Sequence, residues 1–244
     1  PPEGIEKKIT AYVAEHGGMG FRDRPDWRQE LLALHASLLN DFPDKGKMEM
    51  DDERTSRILE ELVESRRCIG EHLDKPVDLD LLKVIIHEST LAPSAGNQQS
   101  WKFIIVQNTQ VLQNISEACK ENLLARIAAN PNDYAKKYEY MLQNESFNIF
   151  YNAPCLVLIL GERHIKNLLF DCTLAASYLM MSAAAKGLGT CWINFAKELK
   201  NPALLDQIGV LENHTIIAPI IVGYPAIVPP TPKRKTAPIL KITS

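Results

Sequence analysis

The stretch TLAPSAGNQQSW, residues 90–101, separates a helix-like run from the apolar run KFIIVQN. Pro93 breaks the preceding helix, because its ring removes a backbone donor and clashes with the previous turn. Small residues let a planar ligand approach the backbone, and amide side chains can both donate and accept hydrogen bonds along the edge of a heterocycle. The stretch therefore indicates either a turn with asparagine and glycine chemistry or a loop that binds the edge of a ring.

The segments around this junction predict helices that alternate with strands. Helices are predicted at RTSRILEELVESRR, within DKPVDLDLLKVIIHEST after a turn and with a cap at Asp78 or nearby, and at residues 110–129. Two more are predicted at the polar residues 131–150 and in the apolar run LLFDCTLAASYLMMSAAAKGLG, where Gly187 ends the helix. Buried strands are predicted at WKFIIVQN, APCLVLILG, TCWINF and TIIAPIIVGYP. This alternation by itself favours a layered α/β fold.

Composition excludes several classes of protein. Hydrophobic residues make up 45% of the 244 residues and charged residues 23%, which is ordinary for a soluble globular protein. A net charge of −3 gives no positive field for nucleic acid or an anionic membrane. The five cysteines contain no CxxC pair, which suits a reducing cytoplasm and indicates neither a disulfide framework nor a metal site. Asp171 and Lys186 interrupt the long apolar run, so we expect a core helix and no membrane span.

The first 50 residues differ from the rest. They contain GGMGFRDRPDW, one helical stretch and the polar break DFPDKGKMEMDD. We therefore expect an N-terminal helical arm or extension over residues 1–50 and the main domain over residues 51–244.

Two cationic clusters and one glycine turn have both plain and functional interpretations. SRR at residues 65–67 ends a helix, where cations complement the helix dipole, and KRK at residues 233–235 lies in a proline-rich tail. Guanidinium groups also bind phosphate in bidentate fashion, so the two clusters could form one phosphate clamp. KGLGTCW at residues 186–192 is a helix stop before a strand, or a turn that points backbone N–H groups at a cofactor. It lacks the GxGxxG spacing of a dinucleotide-binding loop.

Taken in order, SRRCIGEHLDKPV, LAPSAGNQQSWKFIIV, APCLVLIL, AAAKGLGTCWI, VGYP and PKRK resemble the nitroreductase family of flavoproteins. The resemblance runs from about Glu53 to the C-terminus. It implies an α+β sandwich with helices around a mixed, mainly antiparallel sheet. It also implies an intertwined homodimer that holds FMN at the subunit interface.

The resemblance assigns residues to the flavin. The FMN phosphate would be bound by Arg66, Arg67, Arg234 and Lys235, with a weaker contact at Cys68, where the family usually has serine. The isoalloxazine would be lined from the neighbouring subunit by Pro93, Ser94, Ala95, Asn97 and Gln99. Its redox-active edge would meet the backbone of Gly187, Leu188 and Gly189. The family's usual cation near the pyrimidine side is replaced by Gly70, and Lys102 and Lys120 are the possible substitutes.

The implied function is an FMN-dependent oxidoreductase. Electrons would pass by a ping-pong mechanism from NAD(P)H or a ferredoxin to an electron-poor acceptor such as a nitroaromatic or a quinone. Because the chemistry is centred on the flavin, no protein residue is assigned as certainly catalytic. Tyr134, Tyr138 and Phe147 would form a substrate lid, unless residues 131–150 are simply a surface helix. Cys68 and Gly70 favour an alternative, a flavin-binding carrier, sensor or partner subunit with little turnover.

Overall fold

The computed structural model describes the backbone of residues 52–243 and the side chains of residues 56–243. The predicted arm over residues 1–50 lies outside these described residues and stays a prediction. The chain divides into two compact units, and the fold below is that of the second unit, Ile58–Ser244.

Six α-helices and four β-strands form the described part of the chain. The helices are α1 Asp52–Ser65, α2 Leu79–Ser89, α3 Thr109–Ala129, α4 Glu139–Gln143, α5 Leu168–Ala185 and α6 Pro202–Gln207. The strands are β1 Lys102–Val106, β2 Cys155–Glu162, β3 Gly189–Trp192 and β4 His214–Gly223. Short 3₁₀ helices span Ala95–Asn97, Tyr134–Tyr138 and Asn194–Glu198. The predicted strand TCWINF therefore ends earlier than expected, at Trp192.

Local capping chemistry sets several helix ends. The Asp78 side chain accepts a hydrogen bond from the Leu81 N–H at 2.9 Å and begins α2, which confirms the predicted cap. Asn108 begins α3 by the same chemistry, accepting from the Val111 N–H at 3.0 Å. Gly187 has a φ of 74° just past the end of α5, which confirms the predicted helix stop.

The sheet has the strand order β1-β2-β4-β3, and each pair of neighbours is antiparallel. The α/β fold predicted from alternation alone is therefore wrong, because no helix connects two parallel neighbours among these strands. The α+β sandwich is confirmed. One isolated parallel bridge joins Cys68 to Thr190 beside β3, so the pairing is mixed but mainly antiparallel.

The alternation of side chains along β2 builds two cores. Cys155, Val157 and Ile159 point to the face that α2 and α5 cover. Leu156 and Leu158 point to the opposite face, where they pack in one core with buried residues of α3. Since β2 is buried on both faces, the sequence APCLVLILG reads as a continuous apolar run and shows no alternation.

The helix α5 is long and apolar enough to cross a membrane by length and composition alone. Its residues Ala175, Ala176 and Leu179 are buried in the core on one side. The helix therefore packs as the core helix that the sequence predicts.

The chain after α1 is attached to the edge of the sheet by backbone contacts. The Ile69 N–H donates to the Thr190 carbonyl at 3.0 Å, and the Leu73 N–H donates to the Tyr224 carbonyl at 2.8 Å. A Cβ atom at Gly189 would lie 2.6 Å from the Ile69 side chain, and one at Gly223 would lie 2.7 Å from the His72 ring. Glycine is therefore required at both positions for this close approach.

We expect His72 to make stability depend on pH. Burial lowers the pKa of the imidazole in the folded state, so the unfolded chain binds more protons as pH falls below about 6.5. The free energy of unfolding should therefore fall as pH decreases from 7 to 5.5. Urea titrations at both pH values would measure this change, and His72→Gln should reduce it.

His164→Gln is the matched control, because the His164 side chain is 76% exposed. It should leave the pH dependence as in the unmodified chain. An equal pH dependence in the His72 variant would contradict this role of burial.

Candidate functional site

The loop at residues 93–99 has a strained backbone. Gly96 and the non-glycine residues Asn97 and Gln99 all have positive φ angles, of 59°, 55° and 50°. Non-glycine residues in this left-handed region cost on the order of 1–3 kcal/mol each, and such strain concentrates at ligand-binding sites. The loop is also largely exposed. Its surroundings therefore hold an unfavourable conformation at the surface, as expected for a binding loop.

Hydrogen bonds within the loop maintain this conformation. The Ser94 hydroxyl accepts from the Gln99 N–H at 3.0 Å, and the Ser94 carbonyl accepts from the Asn97 N–H at 3.0 Å. The Gln99 amide nitrogen donates to Asn97 Oδ1 at 3.1 Å. Ser94 therefore shapes the loop, whereas the Asn97 amide nitrogen points to no hydrogen-bond acceptor among the described residues.

A buried carboxylate anchors the loop to the core. Asp171 lies in the first turn of α5 with only 2% of its surface exposed, and its Oδ1 accepts from the Ala95 N–H at 3.0 Å. Its Oδ2 is buried and has no hydrogen-bond partner within the described part of the chain. The sequence analysis used Asp171 only against a membrane span and missed this role. The available signal was a single carboxylate in an otherwise apolar helix.

The two neighbouring arginines that the sequence assigns to the phosphate, Arg66 and Arg67, make different contacts in the structure. Arg67 donates to the backbone carbonyls of Glu64 and Arg66, the latter at 2.8 Å, and to the Thr231 hydroxyl. It therefore caps the end of α1, as the plain interpretation of SRR predicts. Arg66 instead lies beside the Cys68 thiol. Of the two guanidinium groups, that of Arg66 is the better placed for a ligand.

The surroundings of Cys68 change the acidity of its thiol, which the sequence analysis considered only as a weak hydrogen-bond donor to a phosphate. A hydrogen bond from the Cys191 thiol, followed by the hydrogen bond and positive charge of Arg66, lowers the pKa of Cys68 to about 6. The same contact raises the pKa of Cys191. Cys68 therefore has more thiolate character than an ordinary exposed cysteine.

The proline-rich tail reaches the end of α1 at one described point. Thr231 accepts the hydrogen bond from Arg67 and precedes Arg234 by three positions. Arg234 and Lys235 themselves are exposed. Their convergence with Arg66 on one phosphate stays a prediction.

The GLG turn has structural reasons of its own. Gly187 terminates α5, Leu188 is 3% exposed in the core, and Gly189 is packed against Ile69. The predicted approach of these three residues to a flavin edge stays a prediction. The residues that follow them, 191–195, line a pocket.

This pocket is aromatic and has a volume of about 240 Å³. Tyr134 and Tyr138, two of the three predicted lid residues, line it together with Tyr151. The Tyr138 and Phe195 rings meet edge to face at 5.2 Å. The third predicted lid residue, Phe147, lies outside the lining and meets the Tyr151 ring at 5.8 Å.

Gly70 lies beside the same pocket. A Cβ atom there would be 3.7 Å from the Tyr151 ring, and Tyr151 itself has a φ of 53°. Neither predicted substitute cation is placed there within one chain. Lys102 begins β1 at the opposite edge of the sheet from β3, and the Lys120 ammonium donates to the carbonyls of two residues of the predicted lid segment, at 2.7 and 2.9 Å.

The helix predicted over residues 131–150 is confirmed only in its middle half, since residues 134–143 are helical and the residues on either side are not. The segment is tied to α3 at two points. Lys120, which is 8% exposed, binds the carbonyls of Asn144 and Phe147. Arg126 forms an ion pair with Asp133 at 3.0 Å. The segment is therefore fixed to the core at both ends of its helical part.

Comparison with known proteins identifies the family. Residues 63–224 match the family described as the nitroreductase family, and the chain belongs to it. A protein of Archaeoglobus fulgidus that bears the name NADH dehydrogenase/NAD(P)H nitroreductase is 27% identical over 165 residues, which cover 67% of this chain and 83% of that protein. A nitrobenzene nitroreductase of Ectopseudomonas oleovorans is 21% identical over 201 residues, covering 70% and 88%.

A solved structure is similar as well. The nitroreductase with bound FMN from Bacteroides fragilis has a TM-score of 0.63 and 26% identity, and the match covers 76% of this chain and 97% of that one. The family and its fold are thus established by sequence and by structure. The nitroreductase family defines this chain as an oxidoreductase of the flavoprotein class.

We expect Asp171→Ala to destabilise the protein through the binding loop. The substitution leaves the Ala95 N–H without its acceptor, and an unsatisfied buried donor costs about 1–3 kcal/mol. Urea denaturation should show a free energy of unfolding lower by that amount. Ser177→Ala, at an exposed position on the same helix, is the matched control and should change it little. An equal loss in both variants would contradict the anchoring role.

Proposed function

We propose that the chain binds FMN and passes electrons from NAD(P)H to an electron-poor small molecule such as a nitroaromatic or a quinone. The observation that carries this proposal is the strained, amide-rich loop that a buried carboxylate holds at the surface of a nitroreductase fold. The FMN bound to the Bacteroides fragilis structure and the names of the relatives support the cofactor and the donor. We also propose a cytoplasmic location, because the free cysteines of the described residues suit a reducing compartment.

The residues present fit a phosphate and a planar ring. Arg66 supplies a half-buried guanidinium group, and the exposed amide of Asn97 can donate to a heterocycle edge. Tyr134, Tyr138 and Tyr151 supply aromatic surface in a pocket that could take an acceptor. A bound FMN would supply the redox chemistry between an electron donor and an acceptor. The protein contributes binding, orientation and the exclusion of water.

The family's usual cation is missing at Gly70, and this favours a second candidate function. Gly70 faces the Tyr151 ring, which offers no positive charge to a reduced flavin. A chain of this kind could hold the flavin as a carrier, sensor or partner subunit with little turnover. Steady-state kinetics separates the two functions.

The test begins with the colour of the purified protein. Released cofactor should match FMN, and NADH or NADPH should bleach it under anaerobic conditions. Turnover is then measured with a nitroaromatic and with a quinone. A colourless chain that binds no added FMN would overturn the proposal, and bound FMN without turnover would favour the carrier.

The two arginines provide a sharper prediction. Arg66→Ala should weaken FMN binding by about 10–100-fold, because a hydrogen bond to a charged group contributes about 1.5–3 kcal/mol. Arg67→Ala should weaken binding less and lower the free energy of unfolding more, since Arg67 caps α1. Fluorescence titration with FMN and urea denaturation measure the two effects. The reverse order would contradict the assignment.

We also propose a homodimer. On α5, exposed apolar side chains share the side away from the core: Leu169, Phe170, Leu174 and Tyr178. The tail exposes three more, Ile239, Leu240 and Ile242. Exposed apolar side chains that share one helix face, as those of α5 do, are typical of a protein interface.

Light scattering after gel filtration tests the assembly. The unmodified chain should have the mass of a dimer, and Leu174→Glu should shift it toward the monomer, because the charge would be buried in the interface. Tyr140→Glu is the matched control, since Tyr140 is 90% exposed and lies away from α5. A monomeric unmodified chain that holds FMN at full occupancy would rule the dimer out.

A further inference from the structure

A cleft with a volume of about 650 Å³ lies where β4 begins. Its walls are the start of β4, the helix α6 and the turn that follows β2. None of its lining residues belongs to the aromatic pocket described above. His214 begins β4 and Gly223 ends it, so the cleft lies about 30 Å from the edge where Gly223 meets His72. Its size is within the range of small-molecule sites, about 300–1,000 Å³.

The floor of the cleft is aliphatic. Side chains alternate along β4, so Ile216 lies on the same face as His214 and packs with Leu199 in the core shared with α3. Leu205 of α6 and Val210 just after it pack against the same core. No phenylalanine, tyrosine or tryptophan among the described residues lines the cleft. The floor therefore suits an aliphatic chain better than a planar ring.

A guanidinium group is fixed at one wall of the cleft. The Arg163 N–H donates to the Asn213 carbonyl at 2.9 Å, and its Nε donates to the His214 carbonyl at 2.9 Å. The two terminal nitrogens of Arg163 have no partner within the described part of the chain. Guanidinium groups bind carboxylates in bidentate fashion, and this one is already oriented by its bonds to the backbone. Arg163 therefore provides a preformed anion-binding group.

A buried imidazole lies beside this guanidinium group. His214 is only 7% exposed and lines the cleft. Its Nδ1 donates to Asn213 Oδ1 at 2.7 Å, since an amide oxygen can only accept. Nε2 is the remaining ring nitrogen, and it has no partner among the residues that the structure describes. It can accept from a hydroxyl when the ring is neutral or donate to a carboxylate when the ring is protonated.

The charged side chains of the cleft favour an anion. Among those described, only Arg163 is held by hydrogen bonds to the wall. Lys197 has no partner in the described part of the chain, whereas Lys200 pairs with Glu198 at 3.0 Å. The lining also contains two carboxylates, but both are exposed and no described contact holds them in place: Asp206 and Glu212. The fixed charge of the cleft is therefore positive.

We propose that this cleft binds aliphatic carboxylates. The carboxylate lies on the terminal nitrogens of Arg163, with Lys197 adding positive charge. The chain lies on the floor formed by Leu205, Val210 and Ile216. Binding requires no flavin and no electron donor, so its outcome is independent of the proposed oxidoreductase function.

Isothermal titration calorimetry of the full-length chain with decanoate tests the site. Decanoate should bind saturably at one site per chain. Acetate lacks the aliphatic chain and decylamine has the opposite charge, so each should bind at least ~10-fold more weakly than decanoate. An absence of saturable binding, or equal affinity for decanoate and decylamine, would overturn the proposal.

Three variants locate the binding. Arg163→Gln should weaken decanoate binding by roughly 10–100-fold, because a hydrogen bond from a charged donor is lost. Leu211→Glu should also weaken it, since Leu211 lines the cleft, is 62% exposed and would add a negative charge. Lys166→Gln is the matched control, because Lys166 is an exposed cation close to Arg163 in the chain and outside the cleft.

Circular dichroism checks that each variant is folded, and Leu211→Glu keeps the test decisive if Arg163→Gln does not fold. Unchanged affinity in either folded cleft variant would place decanoate elsewhere on the chain and overturn the proposal. An equal loss of affinity in Lys166→Gln would do the same, since it would show a general effect of surface charge.

Discussion

The antiparallel pairing of β2 with β4 is the constraint on which the rest of the structure depends. Both strands are buried on both faces, so helices must cover each side of the sheet. The alternation of side chains along β2 sends Val157 to one core and Leu158 to the other. No ligand can reach this centre. The candidate site therefore lies at the edge of the sheet, where β3 is joined by the chain that follows α1.

That edge depends on two glycines and on backbone hydrogen bonds. Gly189 and Gly223 have no Cβ, which allows Ile69 and His72 to lie directly against the sheet. This attachment carries the cationic end of α1 and Cys68 to the start of β3. A local steric requirement in the core strands thus decides where the charged groups of the site are placed. Stability and function share the same contacts here, because the residues that attach the segment also position Arg66 and Cys68.

Strain and burial cooperate in the binding loop. Left-handed backbone at Asn97 and Gln99 is unfavourable by itself, and a buried carboxylate is unfavourable unless it accepts hydrogen bonds. The hydrogen bond from the Ala95 N–H to Asp171 Oδ1 offsets part of both costs, because the loop satisfies one carboxylate oxygen and the carboxylate holds the loop. A loop fixed in this way loses little conformational entropy when a planar ligand binds.

The sequence by itself determined the helices and strands, the cap at Asp78, the stop at Gly187 and the family, since each follows from local periodicity or from the order of short motifs. The alternation of elements wrongly favoured an α/β class, whereas the family resemblance gave the α+β sandwich that the structure confirms. The helix predicted over residues 131–150 is shorter than expected, because tertiary anchors such as Lys120 override local pattern. Only the tertiary structure decided that Arg67 binds Thr231 of the tail and that Cys68 lies beside Thr190 of β3. These contacts join residues far apart in the chain, and no local physical rule connects such residues before the sheet forms.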